Sequence, residues 1–336
     1  MKKYLVIIIV FVALICICIF NSLGYVKERE NTENKENLKN IDKVIYSYNN
    51  PIIPNGFSKV ETKGASWKIE NEIPIGWDNG LVIEDGIGNQ FVWIPVNIEN
   101  LNYSDFAKKY YKDYIYDSSK EDKFTEQIKK YGGFYIARYE AGIDETRQNI
   151  IKNISEKTND FIGKPVSKKD VLPWNFISYS NANKSARNMY FTDEINSDLI
   201  SMEQALIIFE WLNEKNYNVY RDSSAWGNYS NVNFEFDGYY SIDYGKNYFY
   251  GKNKKKQTYN MILSTGASER NSANNIYDIA GNLWEYTNTF YEKLGYYCIG
   301  GHYDNTGIQF SAGSNNLKNI KPLEKVGFRV VLFLNI

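Results

Sequence analysis

The sequence predicts an α+β protein in which small antiparallel sheets and a few helices are set among much irregular structure. The 336 residues include 29 Tyr, 18 Phe and 7 Trp against only 7 Pro. Aromatic and β-branched residues favour strands over long helices. Strand-like runs outnumber helical ones along the chain, so a sheet-rich fold is expected.

The individual elements follow from local patterns. Two β-branched and aromatic runs flank the turn 86–89 and predict a hairpin. The clearest helix begins at Ser201, which has Gln204 three residues later and therefore forms a capping box. The other predicted elements are strands at 81–83, 90–96, 133–140 and 327–334 and helices at 104–112, 120–131 and 178–189.

The N-terminus predicts export. Lys2 and Lys3 precede an apolar run over 4–20 that is nearly long enough to cross a bilayer, and the positive-inside rule places the rest of the chain outside the cytoplasm. A signal peptide cleaved near 22–24 is the alternative. The expected domains are an anchor or signal peptide at 1–24, a charged stalk at 25–50, and one domain at 51–336 made of an N-terminal part, 51–129, and a core, 130–336.

Overall charge argues against a nucleic-acid partner. The 39 basic and 40 acidic residues leave a formal net charge of −1. No global field then attracts a polyanion, so nucleic acid is not expected as a partner.

One segment has the composition of a calcium loop. Asp278 and Glu285 are two hard oxygen donors seven residues apart, and Gly281 between them permits a sharp bend. Calcium accepts mixed carboxylate and carbonyl ligands in flexible geometry. An acidic surface turn is the alternative interpretation of the same residues.

Three blocks in order resemble the formylglycine-generating enzyme, or sulfatase-modifying factor, family. The segment 276–286, IYDIAGNLWEY, is similar to its YDMxGNVWEW signature, 300–303 to its RGGSW element, and 327–330 to its terminal GFR strand. The resemblance implies a variant of the C-type-lectin-like fold. It also implies a structural calcium ion held by Asp278, Glu285 and the carbonyls of Gly281 and Leu283.

Catalysis of the family's type is not expected. The resemblance implies that a pair of copper-binding cysteines should follow the glycine pair 300–301, but Asn305 and Phe310 stand at those positions. Thiolates are what select Cu(I), so copper is not expected as a cofactor. Related sulfoxide synthases bind iron through several histidines, and His302 is the single histidine here.

The leading functional hypothesis is a membrane-tethered, extracytoplasmic binding domain for a protein or glycan ligand. The resemblance implies that the ligand cleft lies near five residues, namely Trp284, His302, Tyr303, Asp304 and Phe310. Two aromatic segments, 234–240 and 248–250, are either a binding surface or core. The alternatives are a formylglycine-generating-type oxidoreductase with displaced catalytic residues, and a structural envelope protein.

Overall fold

The computed structural model describes residues 51–70, 73–74, 77–97, 122–143, 152–254, 260–291, 295–318 and 321–335. The predicted anchor, the stalk and the helix predicted at 104–112 lie outside these residues. No helix in the described ranges is long and apolar enough to span a membrane.

The largest sheet has six strands, and every pairing in it is antiparallel. Its strands, in their spatial order, are β1 (Phe57–Val60), β4 (Val82–Asp85), β5 (Gln90–Pro95), β6 (Gly133–Ala137), β17 (Val330–Leu334) and β7 (Ile195–Leu199). The predicted hairpin forms β4 and β5, with Val82 opposite Val92.

The second sheet has four strands in the order β15-β14-β13-β16. They are β13 (Trp284–Tyr291), β14 (Gly295–Ile299), β15 (Asn315–Lys318) and β16 (Val326–Phe328). The single strand predicted at 327–334 is wrong, because the chain leaves this sheet after β16 and enters the six-stranded sheet as β17. Arg329 lies at the crossing point, where its side chain makes buried polar contacts that a regular strand would not allow.

A three-stranded sheet carries most of the exposed aromatic residues described below. Its order is β10-β8-β9, formed by β8 (Glu235–Ser241), β9 (Phe249–Lys254) and β10 (Ile262–Leu263). Two further pairs complete the strands, β2 (Ile69–Glu70) with β3 (Ile73–Pro74) and β11 (Ser272–Ala273) with β12 (Ile276–Tyr277).

Four α-helices lie in the described ranges: α1 (Asp122–Tyr131), α2 (Glu156–Asn159), α3 (Tyr179–Met189) and α4 (Met202–Glu214). Three of them agree with the predicted helices at 120–131, 178–189 and from Ser201 onward. Short 3-10 turns occur at Trp77–Asn79 and Glu269–Asn271. The predicted α+β class, with several small antiparallel sheets, is confirmed.

The two main apolar clusters lie on opposite faces of the six-stranded sheet. Along β5, Val92 and Ile94 belong to the cluster that contains α4, whereas Phe91 and Trp93 belong to the cluster that contains α3. Successive side chains of a strand point to opposite faces, so a continuous apolar run indicates a strand that is covered on both. This arrangement explains why β5 shows no polar alternation.

We expect Ser201→Ala to lower the free energy of unfolding by about 1 kcal/mol. The Ser201 hydroxyl accepts a hydrogen bond from the Gln204 backbone N–H at 3.1 Å, and the Gln204 side chain accepts one from the Ser201 N–H at 2.9 Å. Urea denaturation measures the loss. Ser180→Ala in α3 is the matched control, because Ser180 is exposed and lies inside a helix; equal losses in the two variants would contradict the cap.

Candidate functional site

The segment similar to the family signature surrounds a buried charged centre. Arg329 is fully buried, and its Nε lies 2.9 Å from both carboxylate oxygens of Glu285. Its two Nη atoms donate to the carbonyls of Ala137, at 3.1 Å, and Tyr277, at 2.8 Å. The guanidinium therefore links β6, β12 and β13 from the point where the chain passes from β16 to β17.

Two more carboxyl groups face the same centre. Glu140 accepts hydrogen bonds from the Asn282 side chain at 2.7 Å and from the Leu283 N–H at 3.1 Å. Asp278 accepts from the Gly266 N–H at 2.7 Å through one oxygen, and its other oxygen has no hydrogen-bond partner among the described residues. Both groups interact electrostatically with Glu285 and Arg329, so three buried carboxyls share one cation.

Protonation reduces this excess of negative charge. Burial raises the pKa of Asp278 to about 7, against 3.8 for the unperturbed group. Burial, reinforced by the charges of Asp278 and Glu285, also raises the pKa of Glu140 well above its usual range. A carboxyl taken out of water favours its neutral form, so both groups keep their protons to a higher pH than exposed carboxyls do.

The predicted sharp bend occurs where it was expected. Gly281 has φ +76, and a Cβ added there would lie 2.2 Å from the carbonyl oxygen of Asn228. The Gly281 N–H donates to the Gly300 carbonyl at 2.8 Å, which ties the loop to the glycine pair that follows it. In the buried interior, the side-chain amide of Asn228 donates a hydrogen bond to the side-chain oxygen of Asn282 at 2.8 Å.

Two of the predicted calcium ligands lie at one centre, and one of them is already paired with an arginine. The structure brings Asp278 and Glu285 to one centre, but the Glu285 carboxylate already accepts from Arg329 through both oxygens. Among the described residues, no group of three or more His, Cys, Asp or Glu side chains could hold a metal ion. Calcium at Asp278, Gly281, Leu283 and Glu285 stays a prediction, and the ion would compete with Arg329 for the Glu285 carboxylate.

The five predicted ligand residues lie together, and most of them are buried. Trp284 is in edge-to-face contact with Phe310, with ring centroids 5.4 Å apart, and lies 6.4 Å from His302. Trp284 and Tyr303 are each only 1% exposed, and His302 is 8% exposed. His302 accepts a hydrogen bond from the Asp304 N–H through Nδ1 at 3.1 Å, so its imidazole stabilises the local turn.

Asp304 is the one carboxylate of that set, and it is partly exposed. Its side chain is 31% exposed and forms an ion pair with Lys325 at 2.8 Å. Asn260 donates a second hydrogen bond to the same carboxylate. Lys325 also lies 5.6 Å from the ring centroid of Tyr244. Neither Lys325 nor Asn260 could be connected to Asp304 from sequence, because no local pattern relates residues so far apart.

The hairpin of β8 and β9 presents an exposed apolar surface. Three of its residues form what we call the hairpin patch: Ile242 (49% exposed), Tyr244 (51%) and Tyr250 (65%). Phe249 (47% exposed) precedes Tyr250 in β9 and therefore points to the other face of the sheet. The sequence left open whether the segments 234–240 and 248–250 form a binding surface or core, and each interpretation holds for some of their residues. Phe234, Phe236 and Tyr248 are core residues, whereas Phe249 and Tyr250 face solvent.

Comparison with known proteins gives only distant matches. No protein-family model and no curated protein matches the chain. The crystal structure of CarF aligns with a TM-score of 0.37 and 15% identity over 59% of this chain and 86% of CarF. Treponema denticola variable protein 1 aligns with a TM-score of 0.36 and 12% identity over 60% of this chain and 84% of its own length.

Proposed function

We propose that this chain is a membrane-tethered, extracytoplasmic ligand-binding domain that uses a scaffold like that of the formylglycine-generating enzyme family without its chemistry. The observation that supports this best is the hairpin patch, which holds three large exposed side chains within nine residues, 242–250. Exposed apolar residues that cluster in this way mark interaction sites more often than scattered ones do. Tethering is proposed from the apolar N-terminal run.

The position of the patch favours binding over a structural role. A structural side chain gains stability by burial, yet Tyr250 and Tyr244 leave more than half of their surfaces in water. Tyrosine offers a rigid amphipathic ring that loses little entropy when a ligand covers it. We therefore place the ligand on the hairpin patch, next to the predicted residue Asp304, and assign the buried Trp284 and Tyr303 to the core rather than to the contact surface.

The residues at the expected copper positions support the absence of family catalysis. Asn305 accepts a hydrogen bond from the His302 N–H at 3.1 Å through its side chain and closes the turn after the glycine pair. Phe310 packs against Trp284. Cys298 is fully buried in β14. An amide and a phenyl ring cannot replace thiolates as Cu(I) ligands.

We expect a Tyr244→Ala/Tyr250→Ala double variant to lose at least about tenfold in affinity for envelope preparations from the producing cells, because buried aromatic anchors dominate interface energetics. Binding of the labelled full-length chain measures the loss. Phe191→Ala is the matched control, since Phe191 is 89% exposed and lies outside the patch. Equal binding by the double variant and the unmodified chain would exclude the patch as the site.

We expect the full-length chain to leave a cysteine-containing sulfatase-motif peptide unoxidised when Cu(I) and oxygen are supplied. The reason is the absence of a thiolate pair at 305 and 310. Mass spectrometry of the peptide detects the aldehyde product, and a formylglycine-generating enzyme is the positive control. Product formation would replace the binding proposal with an oxidoreductase that has displaced metal ligands.

A further inference from the structure

Two tyrosines of the hairpin patch each lie beside an aspartate–lysine ion pair. We propose that these two stations bind a neutral oligosaccharide, an inference that rests on the function proposed above. Each station combines an exposed tyrosine ring with an Asp–Lys ion pair. The first consists of Tyr250, Asp237 and Lys252, and the second of Tyr244, Asp304 and Lys325.

The first station is built on paired strands. Asp237 on β8 lies opposite Lys252 on β9, and their side chains form an ion pair at 2.9 Å. Tyr250 lies opposite Tyr239, two residues along, so its ring shares the sheet face with the ion pair. The Tyr250 hydroxyl lies 3.4 Å from a carboxylate oxygen of Asp237. Ring, acceptor and donor therefore stand side by side at the surface.

The second station is assembled from separate parts of the chain. The Lys325 ammonium lies 5.6 Å from the ring centroid of Tyr244 and 2.8 Å from a carboxylate oxygen of Asp304. Asn260 adds an amide to the same carboxylate. Three segments thus place a ring, a donor and an acceptor together, as one strand pair does at the first station.

This combination matches the chemistry of a sugar. A pyranose ring has an apolar C–H face that an aromatic ring covers, and hydroxyl groups that each donate and accept hydrogen bonds. A carboxylate accepts from such a hydroxyl and an ammonium donates to it. Because the carboxylate of each station is paired with a lysine, the charges within the station balance, and this favours a neutral ligand over an anionic one.

Tyr239 contacts the first station and a buried cluster that includes a neighbour of the second. Its ring lies 5.2 Å from that of Tyr250 at the first station. It also packs against the buried cluster that contains Tyr303, the residue next to Asp304 of the second station. Because there are two stations, each able to take one sugar, the proposed ligand is an oligosaccharide rather than a single sugar.

Isothermal titration of the full-length chain with cellohexaose and chitohexaose tests the inference. We expect at least one of these neutral hexasaccharides to bind, with little change in affinity between low and high salt, since no net charge is exchanged. Tyr250→Ala and Tyr244→Ala should each weaken binding about tenfold, and Asp237→Asn should weaken it by a smaller factor. Phe191→Ala should leave the affinity unchanged.

Several results would overturn the inference, and they separate it from the proposed function. If neither hexasaccharide binds, or if hexagalacturonate binds more tightly with strong salt dependence, the neutral-sugar assignment fails. Binding to vesicles containing phosphatidylglycerol, or to an unrelated extended peptide, with the same tyrosine dependence would also reject the sugar but keep the patch as the site. Sugar binding that is unaffected by both tyrosine substitutions would reject the two stations and the patch together.

Discussion

Glu285→Gln is expected to cost about 3 kcal/mol or more of unfolding free energy, and urea denaturation measures it. The substitution leaves the Arg329 guanidinium buried without its bidentate partner. Arginine cannot lose its proton in a protein, so the charge stays uncompensated. Asp278 and Glu140 lie in the same centre and can ionise in response, which limits the loss to the lower part of the range for broken buried pairs, about 3–5 kcal/mol.

The matched control is Asp198→Asn, which removes an arginine–carboxylate pair at the surface. Arg187 and Asp198 are 3.1 Å apart, and their side chains are 60% and 23% exposed. Exposed pairs contribute about 0–1 kcal/mol. A loss below about 1 kcal/mol for Glu285→Gln, similar to that of the control, would mean that the buried pair does not organise the core. A Glu285→Gln/Arg329→Met double variant should lose less than the sum of the two single variants.

Much of the fold could be predicted because its signals are local. The capping box at Ser201, the turn between β4 and β5 and the apolar run of β5 each depend on residues near one another in sequence. The break between β16 and β17 at Arg329 could not be predicted from local sequence. Its neighbours in sequence are apolar on both sides, and its partners Glu285 and Ala137 come from distant strands.

The candidate site was predicted less completely, for the same physical reason. The sequence places Trp284, His302 and Tyr303 near one another through motifs, but it does not show that their side chains face inward. Burial depends on what covers a segment, and the covering residues here belong to other strands and loops. The stations on the hairpin combine local pairs, such as Asp237 with Lys252, with the long-range pair of Asp304 and Lys325.

Lowering the pH from 8 to 5 is expected to increase the contribution of Asp278 to stability. Its folded pKa is about 7 and its ordinary value is 3.8, so between these values the folded state binds more protons than the unfolded chain does. Unfolding free energy then falls as pH rises through this window and is lowest above pH 7. At about 1.4 kcal/mol for each unit of pKa, the full effect is at most about 4 kcal/mol.

Other carboxyls have the opposite effect on how stability depends on pH. Comparing the unmodified chain with Asp278→Asn therefore isolates the contribution of Asp278. Hydrogen bonds from Tyr190 and Asn89 outweigh burial and lower the pKa of Asp85, whose contribution to stability is therefore lost as the pH falls. The asparagine keeps an acceptor for the Gly266 N–H and removes the ionisation. We expect the variant to be more stable than the unmodified chain at pH 8, and the difference to shrink towards pH 5. Chemical denaturation at several pH values, with chelator present, measures both.

The same measurement decides the calcium prediction, because a bound divalent cation reverses the sign. Calcium would hold Asp278 ionised, so stability would rise with pH, fall on addition of chelator, and fall again in Asp278→Asn at pH 8. The bonds between Arg329 and Glu285 lead us to expect the opposite result. If Asp278→Asn is less stable than the unmodified chain at pH 8 and no longer responds to calcium, the loop binds calcium despite the pairing of Arg329 with Glu285.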